Sequence, residues 1–215
     1  MGASAVWIIA APREEWVAQY GPIFHLAVAR HMARPEHQAV WHAWCENPDL
    51  EPGYFPDPRP GSPNQVAPHP PVVAFAALAG DMPWDDPEAP PIDLFSSHAY
   101  RDDVEHIALV VRKGSPVAAL FHGIGPARAQ LLPGWMGNFL LTPAEVRAAG
   151  TRVEEALTFN ANEREPVMQR VRDWLNLMGD SGDEDAEEVV AGPLRCWRSA
   201  IESGTGLCAN QSWAT

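Results

Sequence analysis

The sequence predicts an α+β fold: a small, mostly antiparallel sheet, helices packed on one face of it, and long proline-rich loops. Three observations carry that expectation. Short apolar runs of strand length occur at residues 6–10, 72–78 and 107–121, with a closing segment at 207–213. From Thr142 onward, three amphipathic helices follow one another with readable start or stop signals. Between these parts, proline is dense enough to break regular structure, with nine prolines from Pro48 to Pro71 alone. A chain of 215 residues suits a single domain over residues 1–215 with a substantial core.

The run Ala5-Val6-Trp7-Ile8-Ile9-Ala10-Ala11 reads as a first buried strand. No basic residue precedes it, it is too short to span a bilayer, and it ends in Pro12-Arg13-Glu14-Glu15, so neither an export signal nor a membrane anchor is expected. Pro12 and the acids Glu14 and Glu15 favour a helix start, with Trp16 and Tyr20 on one face. Gly21-Pro22 predicts a break, a second helix runs from Ile23 to about Met32, and Arg34-Pro35 interrupts again. A third short helix puts Val40, Trp41 and Trp44 on one side and stops at Asn47-Pro48. Long loops are expected over residues 48–71 and 80–93, separated by a buried strand at 72–79. A β-hairpin is predicted over 107–121, turning at Arg112-Lys113-Gly114-Ser115. The Gly- and Pro-rich stretch 123–138 carries a Trp135-Met136 pair expected to be exposed.

The C-terminal module, residues 142–213, is the most legible part. Thr142-Pro143-Ala144-Glu145 is a capping box with Pro at the first helical position, and Val146, Val153 and Leu157 fall on one stripe. A helix from about Glu163, capped by Asn162, aligns Val167, Val171, Trp174, Leu175 and Met178. Residues 180–188, with six acids and no base, predict an acidic loop. The last helix carries Val190, Leu194, Trp197 and Ile201, kinks at Pro193 and stops with Gly204 at C′.

Charge narrows the classes of function. A net charge of -13 repels phosphate backbones and anionic membranes, so no nucleic-acid or membrane partner is expected. The same field attracts and steers a basic protein partner. Cys45, Cys196 and Cys208 form no C-x-x-C pair and read as free thiols in a reducing cytoplasm. Nine Trp exceed what this length needs; most belong in a core, the rest supply interface anchors.

Signatures of nucleotide binding, of the nucleophile elbow and of zinc peptidases are absent from the sequence. His25, His31, His37 and His42 are spaced by six, six and five residues, which suits no pair of helical metal ligands. His98, Asp102 and His106 share one side of a helix if that segment is helical, and with His122 at a strand end they outline an acid/base or metal site. The two proline loops, with Tyr54, Phe55, Trp84, Asp85 and Asp86, outline a stiff recognition surface. Trp135 and the acids Asp183, Glu184 and Asp185 extend it. No cofactor is implied.

Leu140-Leu141-Thr142-Pro143-Ala144-Glu145-Val146-Arg147 and the closing stretch Trp197-Arg198-Ser199-Ala200-Ile201-Glu202-Ser203-Gly204-Thr205-Gly206-Leu207-Cys208 resemble uncharacterised YfbM-like bacterial proteins. The likeness covers the C-terminal third and implies an α+β domain, often found near toxin or stress loci, with no established catalytic residues. The proline loops depart from that pattern. The functional expectation is a non-enzymatic, cytoplasmic protein-binding module, an immunity-like inhibitor of a basic partner. The alternatives are a metal-assisted hydrolase on His98, Asp102, His106 and His122, and a small-molecule-binding self-resistance protein whose pocket is lined by Trp41, Trp44, Trp84 and Trp135.

Overall fold

A computed structural model describes residues 4–56, 65–80, 100–112, 115–176 and 182–214. Strand β1 (Ser4–Ala10) lies inside a four-stranded sheet, between β4 (Ile107–Arg112) and β6 (Leu207–Ala214), with β5 (Phe139–Leu141) beyond β6; every pairing is antiparallel. The α+β expectation therefore holds. Side chains alternate across the sheet. Trp7, Ile9, Leu109, Leu207 and Ala209 enter the main core, whereas Leu140 and Cys208 meet Val17 and Phe24 of α1 (Glu14–Met32) in a smaller cluster. Most helices pack on the first face, and α1 covers part of the second.

At the centre of the core is α4 (Pro116–Ala129). Every residue from Pro116 to Ile124 is buried, as for a helix that is apolar all round. It packs against α6 (Ala161–Asn176) so closely that a Cβ on Gly123 would lie 2.4 Å from a Val171 methyl. Two further helices, α5 (Pro143–Leu157) and α7 (Gly182–Ser203), complete the layer. A buried hydrogen-bond knot joins distant segments. The Gln211 side chain accepts from Ser115 Oγ at 2.6 Å and Val117 N at 3.4 Å, and donates to Ala79 O at 2.6 Å. Asn138 Oδ1 accepts from Gln211 N at 3.0 Å.

Several local expectations are corrected. The apolar run 72–79 is not a strand but α3 (Pro70–Gly80), which buries Val72, Phe75, Leu78 and Ala79 on one helical face. Pro70 and Pro71 preset the first turn, and the alanine-rich run favours helix; a short all-apolar run alone cannot separate the two. The hairpin is also overturned, because only its first half is a strand. Ser115 Oγ accepts from Ala118 N at 3.0 Å and Pro116 follows it, so Ser-Pro starts α4 where a returning strand was expected. Helix α1 runs through Gly21-Pro22 without breaking. Pro22 and Ala18 are both exposed, so the carbonyl left without a donor has access to water. The acidic segment is not a loop throughout, since α7 begins at Gly182.

Caps agree more closely. Thr142 and Glu145 form the reciprocal capping box, and Gly204 has φ 64° after α7. The α6 cap lies two residues earlier than expected: Asn160 Oδ1 accepts from Asn162 N and Glu163 N, and Glu163 returns to Asn160 N. Within the first proline loop, residues Phe55–Pro56 (β2) and Val66–Ala67 (β3) pair antiparallel. No helix among the described residues is long and apolar enough to cross a membrane.

Candidate binding groove

Helix α2 (Pro35–Glu46) starts on a proline and stops at Asn47, whose N–H still reaches Ala43 O. Its apolar side meets α3 through Trp44 and Phe75, ring centroids 4.6 Å apart. The chain leaving α2 then curls past the start of α3. A groove of about 730 Å³ opens between these parts, floored by Val40, Ala43, Trp44, Val72 and Phe75. Glu46, Asp49 and Glu51 stand on its rim, exposed, and no Lys or Arg is among the described lining residues. At one end His69 stacks on Phe55 with centroids 3.8 Å apart.

Charge balance marks this groove as well. Two acids of α7 have partners inside the molecule: Glu187 with Arg164, and Glu188 with Arg195, which also meets Glu105. Glu154 binds Arg198, and Glu163 binds Arg128. Among the described residues Glu46, Asp49 and Glu51 have no such cation. A concavity of about 830 Å³ between α1 and the start of α5 is different, because its polar side chains other than Glu14 are engaged. Glu145 caps α5, and His25 Nε2 lies 2.6 Å from Leu140 O.

Behind the groove runs a chain of rings, with Trp41 on Trp135 at 5.3 Å, on Trp44 at 5.1 Å, and Phe75 on Trp174 at 5.7 Å. The indole N–H groups of Trp44 and Trp135 are buried without an acceptor among the described residues. Trp41 and Trp135 also line a separate pocket of about 240 Å³ with Phe121, Met136, Gln38 and His42.

The expected site residues fall in three groups. His98, Trp84, Asp85 and Asp86, and the side chains of Asp183 and Glu184, lie outside the described residues. Tyr54 is exposed, Phe55 is half-buried beside the groove, and Asp185 is half-buried on α7. Trp135 is corrected: it is only 6% exposed, held by a tight turn in which Gly134, Met136 and Gly137 all have positive φ. His122 is likewise corrected, from a strand end to the interior of α4, packed on Trp174 at 5.2 Å. Burial, and then the positive charge of Arg170, lower its pKa to about 4, against the opposing pull of Asp173 and Asp49.

Asp102 and His106 are exposed, far from such surroundings in character, and His106 Nδ1 lies 3.3 Å from Val104 O. Among the described residues no group of three or more His, Cys, Asp or Glu is placed to hold a metal ion. Burial raises the Cys196 thiol to about 12 and also raises Cys208 and Cys45, so none is an activated nucleophile. The groove residues Glu46, Asp49 and His69 were missed because they sit on the flanks of helix-ending and helix-starting prolines, where sequence signals loop and nothing more. No family model, curated protein or solved structure matches this chain.

Proposed function

We propose that this chain is a non-catalytic protein-binding module for a basic partner, an immunity-like inhibitor acting in a reducing compartment, and that the α2–α3 groove is its contact site. The observation that carries the reading is the pairing of an apolar groove with three carboxylates that have no cation among the described residues. Apolar floor supplies affinity, and uncompensated rim charge supplies steering and partner choice. The three unpaired cysteines suit the reducing compartment. This moves the expected acidic contact away from α7, where Glu187 and Glu188 are held by arginines.

The test is association with small basic proteins, followed by interferometry at low and moderate salt. Wild type should bind with a salt-sensitive on-rate, and the triple variant E46Q/D49N/E51Q should lose most of it. Binding that survives the triple variant unchanged refutes the groove as the contact. One observation favours a second reading, that of a small-molecule-binding protein: the separate pocket that brings Trp41 and Trp135 together beside an indole N–H lacking an acceptor. Quenching of tryptophan emission by a ligand, without dependence on Asp49 or Glu51, would favour it.

A further inference from the structure

We infer that the groove selects arginine over lysine, taking one arginine of an extended segment of the partner; this rests on the basic-partner reading. Three features of the groove converge on that side chain.

The first is shape and charge together. The floor of Val40, Ala43 and Phe75 suits a methylene stem, and the rim carboxylates lie on separate stretches, Glu46 at the end of α2 and Asp49 and Glu51 beyond it. A planar guanidinium with five donors in a fork serves two separated carboxylates at once, whereas an ammonium is a compact, strongly hydrated charge that is costly to strip beside apolar walls. The second is the ring pair at one end. His69 and Phe55 stack at 3.8 Å, with an interplanar angle of 26°, and such a flat surface takes a guanidinium plane more readily than a tetrahedral ammonium.

Thirdly, helix α2 brings its C-terminal end, the negative end of its dipole, to the rim at Glu46 and Asn47. The opposing positive end of α3 is weakened as an anion site because Pro70 and Pro71 have no N–H to offer.

The experiment uses the whole chain and three probes: the N-acetyl, N-methylamide derivatives of arginine, lysine and citrulline. Citrulline keeps the shape of arginine without its charge. Binding is read by calorimetry and by the indole N–H resonances in two-dimensional NMR. The expected result is binding of the arginine probe roughly tenfold tighter than lysine, with citrulline silent. The variant E46Q/D49N/E51Q, changed only at exposed positions, should abolish the binding. Equal binding of the arginine and lysine probes overturns the arginine inference and leaves the basic-partner reading standing. Binding of citrulline as tightly as arginine, or no binding by any probe, overturns both.

Discussion

Replacing His122 by leucine should flatten the acid side of the stability profile. In the folded chain the pKa of His122 is lowered from 6.5 to about 4, chiefly by burial. The fold therefore favours the neutral ring, while the unfolded chain takes up its proton as pH falls below 6.5. Stability from this residue is fully present above that value and is lost as pH falls through the window down to about 4. A shift of this size corresponds to about 3.4 kcal/mol when fully expressed, at 1.36 kcal/mol per unit. At about pH 5 some 2 kcal/mol of it, roughly, has gone. With an m-value of about 2 kcal/mol per molar urea, the wild-type midpoint falls by about 1 M between pH 8 and pH 5 from this group alone.

His122→Leu keeps an apolar contact with Trp174, removes the titration and deletes a buried Nδ1 that has no partner among the described residues. At about pH 8 its stability should lie within about 1 kcal/mol of wild type, since a similar volume is retained. The assay is urea unfolding followed by far-ultraviolet circular dichroism at both pH values for both proteins. The difference between their pH slopes isolates His122 from the carboxylates. Parallel slopes would refute the reasoning, for they would mean that His122 charges in the folded state at no cost.

Three substitutions address the remaining scaffold. Gln211→Met leaves Ser115 Oγ, Val117 N and Ala79 O without their buried partner and should cost about 3 kcal/mol, read as a lowered melting temperature; a loss under about 1 kcal/mol means the knot is replaceable. Gly137→Ala meets both Val117 methyls at 2.9 Å from a backbone with φ 71°, whereas Gly204→Ala, with φ 64°, meets nothing within 4 Å. The first should cost at least about 2 kcal/mol and the second about 1 kcal/mol, and equal losses in chemical denaturation would show that the Val117 contact is relieved freely.

Legibility followed the physics of each segment. Capping at Thr142 and Glu145 and termination at Gly204 were readable because caps depend on residues within a turn of one another. The β1 and β4 runs were readable because β-branched apolar residues of strand length have few other uses. The segment 116–124 was not, since an apolar run buried on all sides has no period to read, nor was 72–79, whose exposed face is as apolar as its buried one. What separated helix from strand there was Pro70-Pro71 and Ser115-Pro116, two start signals weighed less than the hydrophobic run behind them. The groove was less legible still. Its floor combines Trp44 with Phe75, 31 positions apart in sequence, and its distinguishing feature is the absence of arginines that went instead to α7.

The place of β1 inside the sheet sets the order in which the chain can mature. Residues 4–10 pair with 207–214 on one side and 107–112 on the other, so this apolar segment waits for residues about two hundred positions downstream before its second neighbour exists. Helix α4 waits too, because α6 and α7 cover it from downstream. Pairings this distant in sequence fold slowly, and until they close, the Val6-Trp7-Ile8-Ile9 stretch is an open apolar strand on a nascent chain. Synthesis of residues 207–214 is thus the step that retires the hazard, and a chain stalled before them presents a sticky edge to chaperones and proteases rather than a smaller version of the protein.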